Sequence, residues 1–252
     1  MIIFEANHGN DTYIYSANID TLSFTNIDFS AMTLTKDNND LIITSNEGAD
    51  SLRIKDAYSG GIKNLNFIIK DSTNTSKDFA QLTNEKAITI NGTNGNDILE
   101  TDQTGTFELK GGSGNDTYIV DNINSTVKIE DDLGSNQIKI TNTSKDDCHI
   151  VLFVDKNGNI QSDNKTITIT TSTGMTGIEA NNYNTISKIT VKDGYYIGTS
   201  EINELKENIA SWLDGKAESV QEIIESENAT LIEELLGICN NINWKTDTPP
   251  AV

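Results

Sequence analysis

Apolar and polar residues alternate in short runs along most of the chain. Thr21-Leu22-Ser23-Phe24, Met32-Thr33-Leu34-Thr35, Asp40-Leu41-Ile42-Ile43-Thr44, Asp50-Ser51-Leu52-Arg53-Ile54 and Ile62-Lys63-Asn64-Leu65-Asn66-Phe67 are each bounded by Asn, Asp or Gly, the signature of half-buried strands between turns. Residues 87–90, 106–109, 125–129, 148–154, 165–170, 186–191 and 195–197 repeat the pattern. Asn157-Gly158 predicts a hairpin between the strands at 148–154 and 165–170, and Asp193-Gly194 predicts another. The polar stretch from Lys70 to Lys86 reads as a linker or a long surface loop. Near residue 200 the period becomes helical: Ile202, Leu205, Ile209, Trp212 and Leu213 share one face, and the run stops at Asp214-Gly215. Ser219 with Glu222, and Thr230 with Glu233, read as capping boxes that open two further short helices.

One stretch carries more than a strand pattern. Gly111-Gly112-Ser113-Gly114-Asn115-Asp116-Thr117-Tyr118-Ile119 is a complete G-G-x-G-x-D-x-U-x nonapeptide, a calcium-binding repeat of parallel β-helices. Gly92-Thr93-Asn94-Gly95-Asn96-Asp97-Ile98-Leu99 fits it with Thr93 in the second place. Glycine permits the close backbone approach of a loop that turns its carbonyls towards an ion, and aspartate supplies a hard carboxylate. Asp97 and Asp116 lie 19 positions apart, the length of one coil made of two turn-strand halves, so they are expected to stack. At a strand spacing of ~4.8 Å and an effective dielectric of ~20, two stacked carboxylates repel by roughly 3 kcal/mol, a sign that a bound cation reverses.

Gly95, Gly114 and Gly134 set further coils in register, with 106–109 and 125–129 as the opposite strands. The third loop, Asp131-Asp132-Leu133-Gly134-Ser135-Asn136, carries an amide in the aspartate place, which predicts a weaker site there. Asn7-His8-Gly9-Asn10-Asp11-Thr12-Tyr13-Ile14 and Gly48-Ala49-Asp50-Ser51-Leu52 are worn versions of the repeat. Asp11 and Asp50 occupy its aspartate place without the paired glycines, and read as structural turns. Asp155-x-Asn157-x-Asn159 imitates the opening of an EF-hand loop. It has Ile160 in the sixth place and Thr166 in the twelfth, so it reads as a hairpin turn.

The two nonapeptides resemble those of the RTX family of bacterial exported proteins, the haemolysin-type calcium-binding repeats of toxins, proteases, adhesins and surface-layer proteins. The resemblance covers 88–140 well and 1–70 loosely. It implies a right-handed parallel β-roll in which calcium sits between consecutive loops, held by the Asp97 and Asp116 carboxylates and by carbonyls of Gly92, Asn94, Gly112 and Gly114. It also implies a location outside the cell or on the bacterial surface, reached through type I secretion machinery that reads a signal near the C-terminus. The helical segment from residue 200 stands where that signal would stand.

The expected fold is therefore mainly β: a right-handed parallel β-roll or β-solenoid, a hairpin-rich cap and a small C-terminal helical segment. Four regions are expected: a degenerate solenoid over 1–86, the calcium-binding roll over 87–145, an antiparallel cap over 146–199 and a helical segment over 200–252.

Charge narrows the partners. A net charge of -20 and a pI near 4.3 exclude a phosphate-neutralising nucleic-acid binder and simple adsorption to anionic lipid, and suit a chain held compact by divalent cations. No apolar run approaches membrane-spanning length, and the opening Met1-Ile2-Ile3-Phe4-Glu5, with no basic region and a short apolar run, does not read as a cleaved signal peptide, so export is expected to use another route unless the chain is a fragment. Cys148 and Cys239 stand in unrelated contexts and read as two reduced thiols. His8 and His149 lack metal-ligand spacing, and neither H-E-x-x-H nor G-x-S-x-G occurs, so no active site is expected. The expectation is a calcium-binding structural module of an exported surface, S-layer or adhesin-type protein. The alternatives are a non-catalytic C-terminal secretion domain of a toxin or protease, and a small self-associating lattice subunit whose calcium sites lie between chains; the expected partners besides calcium and the type I machinery are copies of itself or a cell-surface component.

Overall fold

The computed structural model describes residues 2–5, 7–14, 20–25, 27–45, 49–58, 67–101, 104–121, 125–159, 167–171, 174–217 and 219–247. The chain is mainly β and divides into two compact units, Met1–Asn91 with Asp102–Glu108, and Gly92–Thr101 with Leu109–Val252.

In the first unit the strands are β1 (Ile2–Phe4), β2 (Asn10–Ile14), β3 (Asp20–Phe24), β4 (Thr33–Asp37), β5 (Asp40–Ser45), β6 (Asp50–Lys55), β7 (Phe67–Lys70), β8 (Ser76–Asp78) and, after helix α1 (Phe79–Glu85), β9 (Ile88–Asn91). One sheet runs β1-β3-β7-β8, parallel except at β8. Another set runs β9-β4-β5-β6-β2. There β9 on β4 and β2 on β6 are parallel, while β4, β5 and β6 are joined antiparallel. The expected alternation is realised: Leu41, Ile43, Leu52 and Ile54 are buried, and Ile42, Thr44, Ser51 and Arg53 between them are partly exposed. The strand expected at 62–67 lies outside the described residues apart from its last position. The expected linker at 70–86 is instead ordered. Asp71 closes a turn by accepting the Thr73 and Thr75 N–H groups, β8 follows, and Asp78 and Gln81 form a reciprocal capping box that starts α1.

The chain continues with β10 (Ile98–Thr101), β11 (Thr106–Lys110), β12 (Thr117–Val120), β13 (Thr126–Glu130), β14 (Asn136–Ile140), β15 (Cys148–Leu152), β16 (Ile167–Thr171), β17 (Gly174–Ala180), β18 (Ile186–Val191) and β19 (Tyr195–Gly198). It ends in α2 (Thr199–Leu213), α3 (Val220–Glu225), α4 (Ala229–Asn240) and β20 (Lys245–Thr246). In the second unit β10, β12, β14 and β18 pair in parallel, with Leu99, Tyr118, Ile138 and Ile189 in one register column. All four are at most 1% exposed. Each such burial contributes about 1.5–3 kcal/mol, and a one-residue slip would turn the column to solvent. A second column, Thr101, Val120, Ile140 and Val191, lies two residues on and is also buried.

Parallel pairing does not stop at residue 145. After β14 the chain makes an antiparallel excursion, β15-β16-β17, and then rejoins: β17 pairs in parallel with β13, and β18 with β14. Strands 148–152 and 167–171 pair as expected. Asn157-Gly158 is a local turn within their longer connection, with Asp155 bridging to Ser219. The β18–β19 hairpin turns at Asp193-Gly194 as expected. Helix α2 buries Ile202, Leu205, Ile209 and Leu213, and Ser219 caps α3. The α4 cap is Asn228, whose side chain accepts the Leu231 N–H, rather than Thr230, which lies inside the first turn. Among the described residues no helix is long and apolar enough to cross a membrane.

Candidate functional site

Three loops, 92–97, 111–116 and 131–136, lead into β10, β12 and β14, and the parallel register stacks them. Ser113 N–H donates to the Thr93 carbonyl at 3.2 Å, Thr117 N–H to the Asp97 carbonyl at 2.9 Å and Gln137 N–H to the Asp116 carbonyl at 2.8 Å. Two side-chain ladders reinforce these bonds. At the sixth place of the repeat, Asp97 N–H donates to Asp116 Oδ1 and Asp116 N–H to Asn136 Oδ1, both at 2.8 Å. At the fifth place the direction reverses: Asn115 N–H donates to Asn96 Oδ1 and Ser135 N–H to Asn115 Oδ1, again at 2.8 Å. The fifth-place asparagines were not among the expected site residues, though their recurrence in both nonapeptides was the available signal.

Close stacking explains the glycines. A Cβ on Gly112 would stand 2.2 Å from the Thr93 carbonyl oxygen, and one on Gly114 2.4 Å from that of Gly95. Both residues also hold positive φ, +94° and +115°. Of the six expected ligands, Asp97 and Asp116 are brought together, Gly92, Gly112 and Gly114 lie within the stack, and Asn94 is exposed.

The carboxylates differ in surroundings. Asp97 Oδ2 accepts the Thr93 N–H at 2.6 Å and its hydroxyl at 2.9 Å, closing its own loop. Asp116 is 1% exposed: Oδ1 accepts the Asp97 N–H, and Oδ2 is buried without a hydrogen-bond partner. Asp131, also buried, accepts the Leu133 N–H on Oδ1 at 3.0 Å and the Tyr118 hydroxyl on Oδ2. These groups converge over Gly111, where a Cβ would lie 2.0 Å from the Tyr118 hydroxyl oxygen, 2.4 Å from Asp116 Oδ2 and 2.5 Å from Asp131 Oδ2. Burial pushes the Asp131 carboxyl above the usual carboxylate range and neighbouring Asp116 adds to this, against the Tyr118 and Leu133 donors. Burial, with Asp131 alongside, also pushes the Tyr118 phenol up.

An orphaned buried carboxylate oxygen above a glycine cradle fits a hard cation. Among the described residues no three His, Cys, Asp or Glu side chains form a metal-holding group, so a cation here must also draw on neutral oxygens. The other sequence candidates have partners elsewhere. Asp50 accepts the N–H groups of Asn7 and Gly9, both at 2.9 Å, and so ties its own turn to the loop that leads into β2. Asp11 is in register with Leu52, so Asp11 and Asp50 are not opposite each other, and Asp11 instead lies 3.1 Å from His8 Nδ1. Asp155 Oδ1 accepts the Asn157 and Asn159 N–H groups, as a turn residue does. Cys148 and Cys239 are free and buried, and burial pushes both thiols to about 12. No protein-family model, curated protein or solved structure matches the chain.

Proposed function

We propose that this chain is a calcium-binding structural module of RTX type, part of an exported surface, S-layer or adhesin-type protein that sets into its fold on meeting calcium outside the cell. The observation that carries the reading is the stacking of Asp97 on Asp116 one parallel coil apart, with Asp116 Oδ1 accepting the Asp97 N–H. The 19- and 20-residue steps from Asp97 to Asp116 to Asn136, and the buried column through Leu99, Tyr118, Ile138 and Ile189, support a β-roll.

In this reading Asp97 and Asp116, with carbonyls of Gly92, Asn94, Gly112 and Gly114, hold the ion. Calcium supplies the positive charge that lets the carboxylates stand together in a chain of net charge -20. The residues themselves do the rest: the fifth- and sixth-place ladders fix loop spacing, the glycines admit the adjacent loop's carbonyls, and Leu99 and Tyr118 anchor each loop to the core. Extracellular calcium modules bind at ~10⁻⁴ to 10⁻³ M, and an ion present at ~100 times its Kd adds about 2.7 kcal/mol to the folded state. Helices α2, α3 and α4 belong in this reading to the segment that type I machinery engages.

Far-ultraviolet circular dichroism and thermal melting in millimolar calcium and in chelator test the proposal. Calcium is expected to raise Tm by several degrees and sharpen the transition; superimposable melts overturn the reading.

A further inference from the structure

We propose a second cation site, formed by Asp116 Oδ2, Asp131 Oδ2 and the Tyr118 hydroxyl above the Cα of Gly111, that takes a hard divalent cation of the calcium class. It rests on the reading of the chain as a calcium binder but uses a carboxylate outside the repeat pattern. Asp131 stands at the first place of its loop, where the other two loops have Gly92 and Gly111.

Three observations converge. Asp116 is 1% exposed and its Oδ2, aimed over Gly111, has no hydrogen-bond partner. An anionic oxygen so placed calls for a positive partner. Lys110 and Lys128 both pair with Glu130, at 3.0 and 2.6 Å, so these two neighbouring cations are already engaged by another carboxylate.

The spacing suits an ion. Asp116 Oδ2 and Asp131 Oδ2 lie 2.4 and 2.5 Å from one point over Gly111, and so less than about 5 Å from each other. An ion with oxygen ligands at ~2.3–2.6 Å fits between two oxygens no farther apart than that. The point itself is too near the Gly111 backbone to hold the ion, which would sit outward of it.

The substitutions in the third loop are also matched. Asn136 takes the carboxylate from the sixth place, and Asp131 puts one back at the first. Tyr118 occupies the place held by Leu99 in the coil before, so a phenol appears in the coil that Asp131 reaches. Asp131 is oriented as an acceptor by the Tyr118 hydroxyl and the Leu133 N–H, which fixes its side chain at this point.

The test uses the full chain, with calcium counted by equilibrium dialysis and terbium luminescence excited through tyrosine. The wild type is expected to hold two calcium ions, and Asp131→Asn and Asp97→Asn to lose one each. Tyr118→Phe should cut sensitised terbium emission several-fold. Asp131→Gly, which gives the third loop the first-place residue of the other two, serves should Asp131→Asn not fold, and is expected to lose the same ion. An unchanged calcium count in the Asp131 variants, with full terbium emission from Tyr118→Phe, overturns this site and leaves the Asp97–Asp116 reading standing. Loss of calcium with Asp131→Asn but not with Asp97→Asn supports this site and overturns the other. No calcium bound by the wild type overturns both.

Discussion

The N–H of Asp116 donates to Asn136 Oδ1 at 2.8 Å, repeating one parallel strand later the bond that Asp97 N–H makes to Asp116 Oδ1. The sixth place of the repeat thus does two jobs. An amide or a carboxylate can accept the preceding loop's N–H, but only a carboxylate brings charge. Asn136 keeps the stack and gives up the charge.

Asn136→Asp separates the two jobs. The substitution retains the acceptor for Asp116, loses the 2.9 Å bond from Asn136 Nδ2 to the Leu133 carbonyl, and adds a buried charge beside Asp116. In chelator the variant should be less stable by about 1–3 kcal/mol. That corresponds to a Tm lower by several degrees, and calcium should restore more stability to it than to the wild type. Calorimetric melts with and without calcium give both numbers.

Glycine replacements should rank by what the new Cβ meets. At Gly134, with φ +89°, it would lie 1.6 Å from the Gly114 carbonyl oxygen, and at Gly111 it would lie among Tyr118, Asp116 and Asp131. Alanine at either position should cost about 3 kcal/mol or more. Gly9→Ala carries only the left-handed strain of φ +75°, with nothing within 4 Å, and should cost about 1–2 kcal/mol. Urea denaturation followed by circular dichroism measures the order.

Asp50→Ala removes the acceptor for the Asn7 and Gly9 N–H groups. The expected loss is about 2–3 kcal/mol, confined to the first unit. Amide exchange should speed up at Asn7 and Gly9 and stay unchanged at Asp97 and Asp116.

Asp40 makes the first unit sensitive to acid. Burial pushes its carboxyl up, but the Asp56 N–H, Lys55 and Arg53 outweigh it and hold the group at about 2. Its folded value lies below the ordinary unfolded ~3.9, so its contribution to stability is complete above pH ~4 and disappears as pH falls through about 2. Asp40→Asn should flatten the pH dependence of denaturation across that window.

The sequence by itself determined which residues turn inward and where the loops of high chemical content lie. Period-two alternation placed Leu41, Ile43, Leu52 and Ile54 in the core, and glycine-aspartate spacing brought Asp97 to Asp116, because both depend on local geometry repeated at a fixed step. Alternation says which face of a strand is buried and nothing about its partner or direction. That is why the return of β17 and β18 to the parallel ladder, after an antiparallel excursion, was legible only in the tertiary structure. The Asp78–Gln81 box that starts α1, and the Asn228 cap, were present in the sequence but are common polar residues until a helix forms behind them. Asp131 is the clearest case. On its own it is an acidic residue in a surface turn, and only the parallel stacking of its loop on the loop before carries it to the buried oxygen of Asp116 and the hydroxyl of Tyr118.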